Sequence, residues 1–184
     1  MKQRSLSSVG VVLVGIVPAL LGSPIFSIVV GLIAIGALYE LYRAYQRVGA
    51  RPSTWTGSIA VVALIVIAGT DAPFRALTGL MSGYTLIALA QHLIKKDISG
   101  SLLDWAFSLS GVMYVGVTMM HFVLIRRIHG PADAGWVREA DNLIGDSGAS
   151  LGLAWLLFVL ITTWLTDVFA YLVGRSWGRH KLIP

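Results

Sequence analysis

Apolar residues run along this chain in six stretches, Leu6 to Leu21, Pro24 to Tyr39, Gly57 to Thr70, Phe74 to Ile94, Leu102 to Ile125 and Ala149 to Val173, with the polar residues gathered between them. None alternates with the period of two that a barrel strand needs over about ten residues, so each predicts a helix. At 1.5 Å per residue the last three reach the roughly 30 Å of a bilayer's hydrocarbon. The first two hold sixteen residues each, or only about 24 Å of helix, and the third is shorter still. These three are expected to span partly or to lean on flanking residues.

Punctuation between the stretches fits this reading. Pro24 suits the first turn of a helix, where its missing N–H costs nothing, so Gly22-Ser23-Pro24 reads as a tight hairpin turn. Gly57 and Pro73 act similarly. Lys2 and Arg4 before Leu6 to Leu21, with small residues from Ala19 to Ser23, could also imitate a secretory signal. The next apolar run begins at once, which favours a retained helical hairpin.

Composition excludes a soluble domain. Hydrophobic residues make up 56% of the chain and charged residues 12%, where a soluble domain carries about 25% charge. The fold class expected is all-α, a polytopic transmembrane bundle of about six helices, with residues 1–184 forming a single membrane domain. The net charge is +5, but the basic residues flank apolar runs. They read as topology signals and contacts for anionic lipid head groups, not as a nucleic-acid surface. With the amino terminus inside and six crossings, ten basic residues fall inside (Lys2, Arg4, Arg43, Arg47, Arg51, Lys95, Lys96, Arg175, Arg179, Lys181) and four outside (Arg75, Arg126, Arg127, Arg138). That bias predicts a multi-pass protein of the cell (inner) membrane. The longest polar connection, Arg126 to Gly148, carries Asp133, Glu139, Asp141 and Asp146. There is no cysteine, which excludes disulfides, thiolate metal sites and cysteine nucleophiles.

Chemistry concentrates near the carboxyl terminus. Asp167 lies inside an apolar stretch, where a carboxylate costs about 2.5–3.5 kcal/mol at mid-bilayer and usually faces a cavity or partner. On a helix, Asp167, Tyr171, Gly174 and Gly178 share one face, and Arg175 borders it. An anion that can hold a metal, a phenol, two positions without side chains and then cations at the membrane surface suit a phosphate-bearing substrate arriving from the cytoplasm. A structural reading is equally open. Gly174-x-x-x-Gly178 is a common packing device, Asp167 could pair with a threonine or arginine of a neighbouring helix, and the cations could be membrane anchors.

Other candidates carry less. Glu40, between Tyr39 and Tyr42, reads as interfacial. His92 and His121 are single imidazoles without the spacing of a transition-metal site. Asp104 sits where an acid favours the helix dipole.

From Asp167 onward the chain, Asp167-Val168-Phe169-Ala170-Tyr171-Leu172-Val173-Gly174-Arg175-Ser176-Trp177-Gly178-Arg179-His180-Lys181-Leu182-Ile183-Pro184, resembles the Asp-x-x-Ala-Tyr-x-x-Gly-Arg-x-x-Gly-(Lys/Arg)-x-Lys-Leu-x-Pro block of the phosphatidate cytidylyltransferase (CDP-diacylglycerol synthase) family. Arg4, the hairpin broken at Gly22, Tyr39-Glu40-Leu41-Tyr42, and Gly111-Val112-Met113-Tyr114-Val115-Gly116 followed by Arg126 are also similar, though only the block from Asp167 is specific. The family's later motifs, Ser-Pro-x-Lys-Thr-x-Glu-Gly and a terminal Gly-rich acidic signature, are not in this sequence, so the chain is expected to be a truncated or split N-terminal portion of the family fold.

The resemblance implies a cytidylyltransferase that converts CTP and phosphatidate to CDP-diacylglycerol and pyrophosphate, with Mg²⁺ as cofactor and its active face cytoplasmic. It implies Asp167 as catalytic residue and metal ligand and Lys181 as catalytic. Tyr171, Gly174, Arg175, Gly178 and Arg179 would be substrate-binding. The expected partners are CTP, phosphatidate and membrane lipids, with a homodimer or a missing C-terminal half left open. The rival readings are a CTP-dependent lipid kinase, and a transporter or accessory membrane subunit in which Asp167 serves ion coupling or assembly. Transporters tend to carry internal repeats, and none is found here.

Overall fold

The computed structural model describes residues 14–72, 74–94, 98–132, 135–144 and 150–178. Every regular element among them is helical. Residues 14–20 form α1, followed by α2 (Ser23–Arg47), α3 (Thr54–Ala68), α4 (Phe74–Leu93), α5 (Ser101–Gly111), a π-helical segment (Val112–Val117), α6 (Thr118–Arg126), α7 (Gly135–Ile144) and α8 (Ser150–Trp177). Each of the six apolar stretches therefore carries a helix over its described residues, the first of them from residue 14 onward, and α5, the π segment and α6 make one rod of 26 residues.

The helices depart from expectation in two places. α2 runs for 25 residues because the helix continues past Tyr39 through Glu40 to Arg47, and with α5–α6 and α8 it is long and apolar enough to cross a membrane. The chain is a membrane protein. α4 has 20 residues but is not among the three helices apolar enough to count as spans. The second difference is α7, a helix inside the polar connection between Arg126 and Gly148. Its apolar positions, Trp136, Val137, Ala140, Leu143 and Ile144, recur at helical spacing among charges, a pattern overshadowed by the acidic residues. Val137 is buried, and Arg138 Nη2 donates to the Ala132 carbonyl at 2.7 Å.

The bundle centres on α3, which packs against α2, α4 and the α5–α6 rod. Its buried residues, Gly57, Ala60, Val61, Leu64, Ile65 and Ala68, are small or branched and let the neighbours close in. α2 contributes a stripe at every fourth position, Phe26, Val30, Ala34, Leu38 and Tyr42, the row that ridge-and-groove packing interdigitates. α8 is held by α6 and α7 at its start, where Ser150, Gly152, Leu153, Leu156 and Leu157 are buried. Beyond Leu160 it leaves the bundle, and every residue from 161 to 178 is exposed.

Candidate functional site

α8 decides where the predicted chemistry lies. Its 28 residues make about 42 Å of helix, and the candidate residues on it lie in its second half. Asp167, Tyr171, Gly174 and Arg175 all lie on this one helix, and Gly178 closes it through its N–H to the Gly174 carbonyl at 3.1 Å. Arg175 Nη1 donates to Tyr171 Oη at 3.3 Å, so the cation and the phenol are already joined one turn apart. The threonines nearby are occupied locally: Thr162 donates to the Phe158 carbonyl and Thr166 to the Thr162 carbonyl, each at 2.7 Å, the usual helix-internal outlet for a hydroxyl in an apolar setting. Asp167 has no hydrogen-bond partner among the described residues. Arg179 and Lys181 lie outside the described residues.

The column offers ligands without walls. A hollow of about 550 Å³ runs along α8, lined by Thr162, Leu165, Thr166, Phe169, Ala170 and Val173, but not by Asp167, Tyr171 or Arg175. At 100° per residue the two faces are nearly half a turn apart, on almost opposite sides of the helix. Among the described residues no three His, Asp or Glu side chains gather. Mg²⁺ is commonly held by one or two carboxylates together with substrate phosphates and waters. Asp167 fits that donor set as a single hard-oxygen ligand.

Polar groups do converge elsewhere. At the end of the bundle that carries Arg43, Arg47 and Arg51, the buried stripe of α5 begins with Ser101, Asp104 and Ser108 instead of apolar residues. Tyr42 and Tyr84 both donate to the Ser108 carbonyl, at 2.6 and 3.0 Å. Ser108 Oγ donates to the Asp104 carbonyl at 2.7 Å and accepts the Ser53 N–H at 2.9 Å. His92 Nε2 stands 3.1 Å from both Ser108 Oγ and Ser53 Oγ. With the Ser108 proton engaged, this network assigns the ring proton to Nε2. Asp104 Oδ1 takes the Arg51 N–H at 2.6 Å, and Ser101 donates to the His92 carbonyl at 2.9 Å.

This knot ties α2, α3, α4 and α5 together, and no buried side-chain nitrogen or oxygen among the described residues lacks a partner. Tyr42 fits because Gly57 and Gly111 flank its ring; a Cβ on Gly57 would sit 2.6 Å from the Tyr42 hydroxyl. His92 is thus a satisfied core histidine. Glu40 and His121 are exposed, and His121 Nδ1 meets its own helix's Val117 carbonyl at 2.6 Å. The sequence reading missed Ser53, Tyr84 and Ser108, because single hydroxyls carry no spacing signal.

Ser108→Ala is expected to strand the Ser53 N–H and to take from the His92 ring one of its two hydroxyl contacts, at about 1–3 kcal/mol. Tyr84→Phe removes one of two donors to a carbonyl and is expected to cost less, about 1 kcal/mol or below. Thermal unfolding in detergent, followed by tryptophan fluorescence, checks that order.

A family model described as the cytidylyltransferase family matches residues 2–184. The chain belongs to the cytidylyltransferase family. Among its relatives, the phosphatidate cytidylyltransferase of Staphylococcus epidermidis is 31% identical over 189 residues, and that of Staphylococcus aureus 30% identical over 190 residues. The Staphylococcus haemolyticus protein of the same name is 25% identical over 185 residues. In each case the match takes in 100% of this chain and 62% of the relative, so the chain spans less than two thirds of their length. No solved structure matches the chain.

Proposed function

We propose that the chain serves the transfer of a cytidylyl group from CTP to phosphatidate at the cytoplasmic face of the cell membrane, which it crosses several times. An oxygen of the phosphatidate phosphate attacks the α-phosphorus of CTP. The bond from that phosphorus to the α–β bridging oxygen breaks, pyrophosphate leaves, and CDP-diacylglycerol forms. Two polyanions must meet, so positive charge and fixed orientation supply most of the help.

In this reading the column at the end of α8 receives the phosphates. Asp167 holds a cation, and Arg175, steadied by Tyr171, meets phosphate oxygens, with Arg179 and Lys181 following it in sequence. Gly174 and Gly178 leave room for the substrate to approach the helix. Mg²⁺, when bound, would neutralise phosphate charge and polarise the attacked phosphorus. Such a column needs a facing wall, which the C-terminal part of the family fold or a second copy of the chain would supply.

The observation that carries the proposal is the placing of Asp167, Tyr171 and Arg175 on successive turns of α8 in a chain that matches the cytidylyltransferase family over nearly its whole length. The test is CTP-dependent formation of CDP-diacylglycerol from added phosphatidate, in membranes holding the full-length gene product. CDP-lipid that depends on CTP, phosphatidate and Mg²⁺ is the expected result. Phosphorylated lipid in its place would point to a kinase, and no product at all would overturn the reading.

A further inference from the structure

α7 lies at the end of the bundle opposite Arg43, Arg47 and Arg51. It follows α6, whose last residue, Arg126, meets the Ala19 carbonyl, and it leads into α8. The Ala132 N–H donates to Ser150 Oγ at 3.0 Å, so the chain passes beside the first residue of α8 just before α7 begins at Gly135. α7 therefore sits where one long apolar helix ends and the next begins.

Its own residues fix how deep it can lie. Arg138, Glu139, Asp141 and Asn142 put too much charge and polarity into one short helix for hydrocarbon. Its apolar positions, Trp136, Val137, Ala140, Leu143 and Ile144, fall within an arc of about 120°. The bundle covers only one edge of that arc: Val137 is 1% exposed, packed at the start of α8, whereas Trp136 is 62% exposed. An amphipathic helix with an uncovered indole at the end of membrane-crossing helices suits the boundary between head groups and acyl chains. Its polar face sets Arg138 against Glu139 and Asp141, and Arg138 is already engaged with the Ala132 carbonyl. Anionic head groups therefore add nothing, and the apolar arc does the holding.

The consequence falls on α8. About 20 residues cross the hydrocarbon, but α8 has 28, α2 has 25 and the α5–α6 rod 26. Helices longer than the core can tilt or slide, so their length alone leaves their depth open. With Ser150 held at one boundary of a core about 30 Å thick, Asp167 falls about 26 Å along α8, just inside the other boundary. Arg175, about 38 Å along, falls among the head groups beyond it. We propose that α7 lies in the surface of the leaflet opposite the phosphate-receiving column, with Trp136 between head groups and acyl chains, and that Trp136 is a positioning residue setting the depth of Asp167 and Arg175. That depth bears on turnover only under the cytidylyltransferase reading, whereas the placing of α7 stands apart from it.

The chain has no cysteine, so nitroxide labels on single introduced cysteines can report depth in phosphatidylcholine nanodiscs. A label at Leu143→Cys, two turns on from Trp136, is expected to favour collision with oxygen over an aqueous nickel chelate about fivefold more than one at Asn142→Cys on the polar face. Replacing about a quarter of the lipid by phosphatidylglycerol is expected to change neither value, because no basic cluster is involved. A label at Val168→Cys, beside Asp167, reads the depth of the column. Trp136→Glu is expected to shift that label by about 3 Å, the rise of two helical residues. Trp136→Tyr keeps an interfacial ring and should leave it in place. Trp136 is exposed, so neither change disturbs the packing. A Leu143 label as open to nickel as the Asn142 label would put α7 in water. One shielded from both reagents would put it under a second copy or another part of the protein. Either result overturns the proposal, as would a response to phosphatidylglycerol or a Val168 label that Trp136→Glu leaves unmoved. The labels need neither CTP nor turnover, so failure here and failure of the cytidylyltransferase reading are separate results.

Discussion

Asp167→Asn is expected to lower CDP-lipid formation by the full-length protein on the order of 100-fold or more, the range seen when a preorganised electrostatic contact to a reacting phosphate or oxyanion is removed. The substitution keeps shape and size and removes only charge. The same change should do no harm to the fold. Asp167 is exposed on the part of α8 that leaves the bundle and has no hydrogen-bond partner among the described residues. An isolated carboxylate in an apolar helix opposes insertion by about 2.5–3.5 kcal/mol at mid-bilayer, and an amide opposes it less. Asp167→Asn should therefore insert at wild-type levels or better while losing turnover. Full activity in the variant would end the assignment of Asp167. Loss of activity together with loss of folded protein would make it a packing residue.

That separation also measures what the sequence could and could not tell. The six apolar stretches were legible because each is a hydrophobic run of helical length, and the longest of them match what a bilayer demands. Asp167 was legible for the same reason, since one charge in an apolar stretch stands out against its background. The extent of α2 was not. Glu40, Arg43 and Arg47 make its end look like a loop, yet Tyr42 turns inward between two glycines and carries the helix onward. The buried knot was less visible still. Ser53, His92 and Ser108 are far apart in sequence; the first two look like ordinary polar residues at helix ends, and Ser108 like a lone hydroxyl inside an apolar stretch. Only the packing of α3 against α4 and α5 brings them within 3.1 Å of one another. What faces Asp167 was equally beyond reach, because a column on one helix says nothing about the surface opposite it.

The second large effect is on folding, at Gly152. Here α8 begins against the end of α6, and a Cβ on Gly152 would lie 2.6 Å from the Ile125 carbonyl oxygen and closer still to that of Arg126. Both obstacles are backbone atoms, so no side chain can swing aside. Neither helix is free to retreat. The end of α6 is fixed by Arg126, whose buried guanidinium donates through Nε to the Ala19 carbonyl at 3.0 Å. The start of α8 is fixed by the Leu151 N–H on the Gly130 carbonyl and the Gly152 N–H on the Ile128 carbonyl, both at 3.0 Å, and by Ser150 Oγ, which takes the Ala132 N–H. These bonds satisfy the first amides of α8, which have no partner within their own helix. Gly152→Ala must break some of them or push the helices apart. We expect a cost of about 2–3 kcal/mol and a fall in thermal midpoint of roughly 5–10 °C. Gly36→Ala, where a Cβ meets nothing within 4 Å, is the matched control and should be neutral or stabilising by up to about 1 kcal/mol. Activity in Gly152→Ala should fall only in step with the folded fraction, because α8 loses its anchor while the column near its far end keeps its chemistry. A midpoint equal to that of Gly36→Ala would mean that α6 and α8 can separate at no cost, and that the path of α8 is set from its other end.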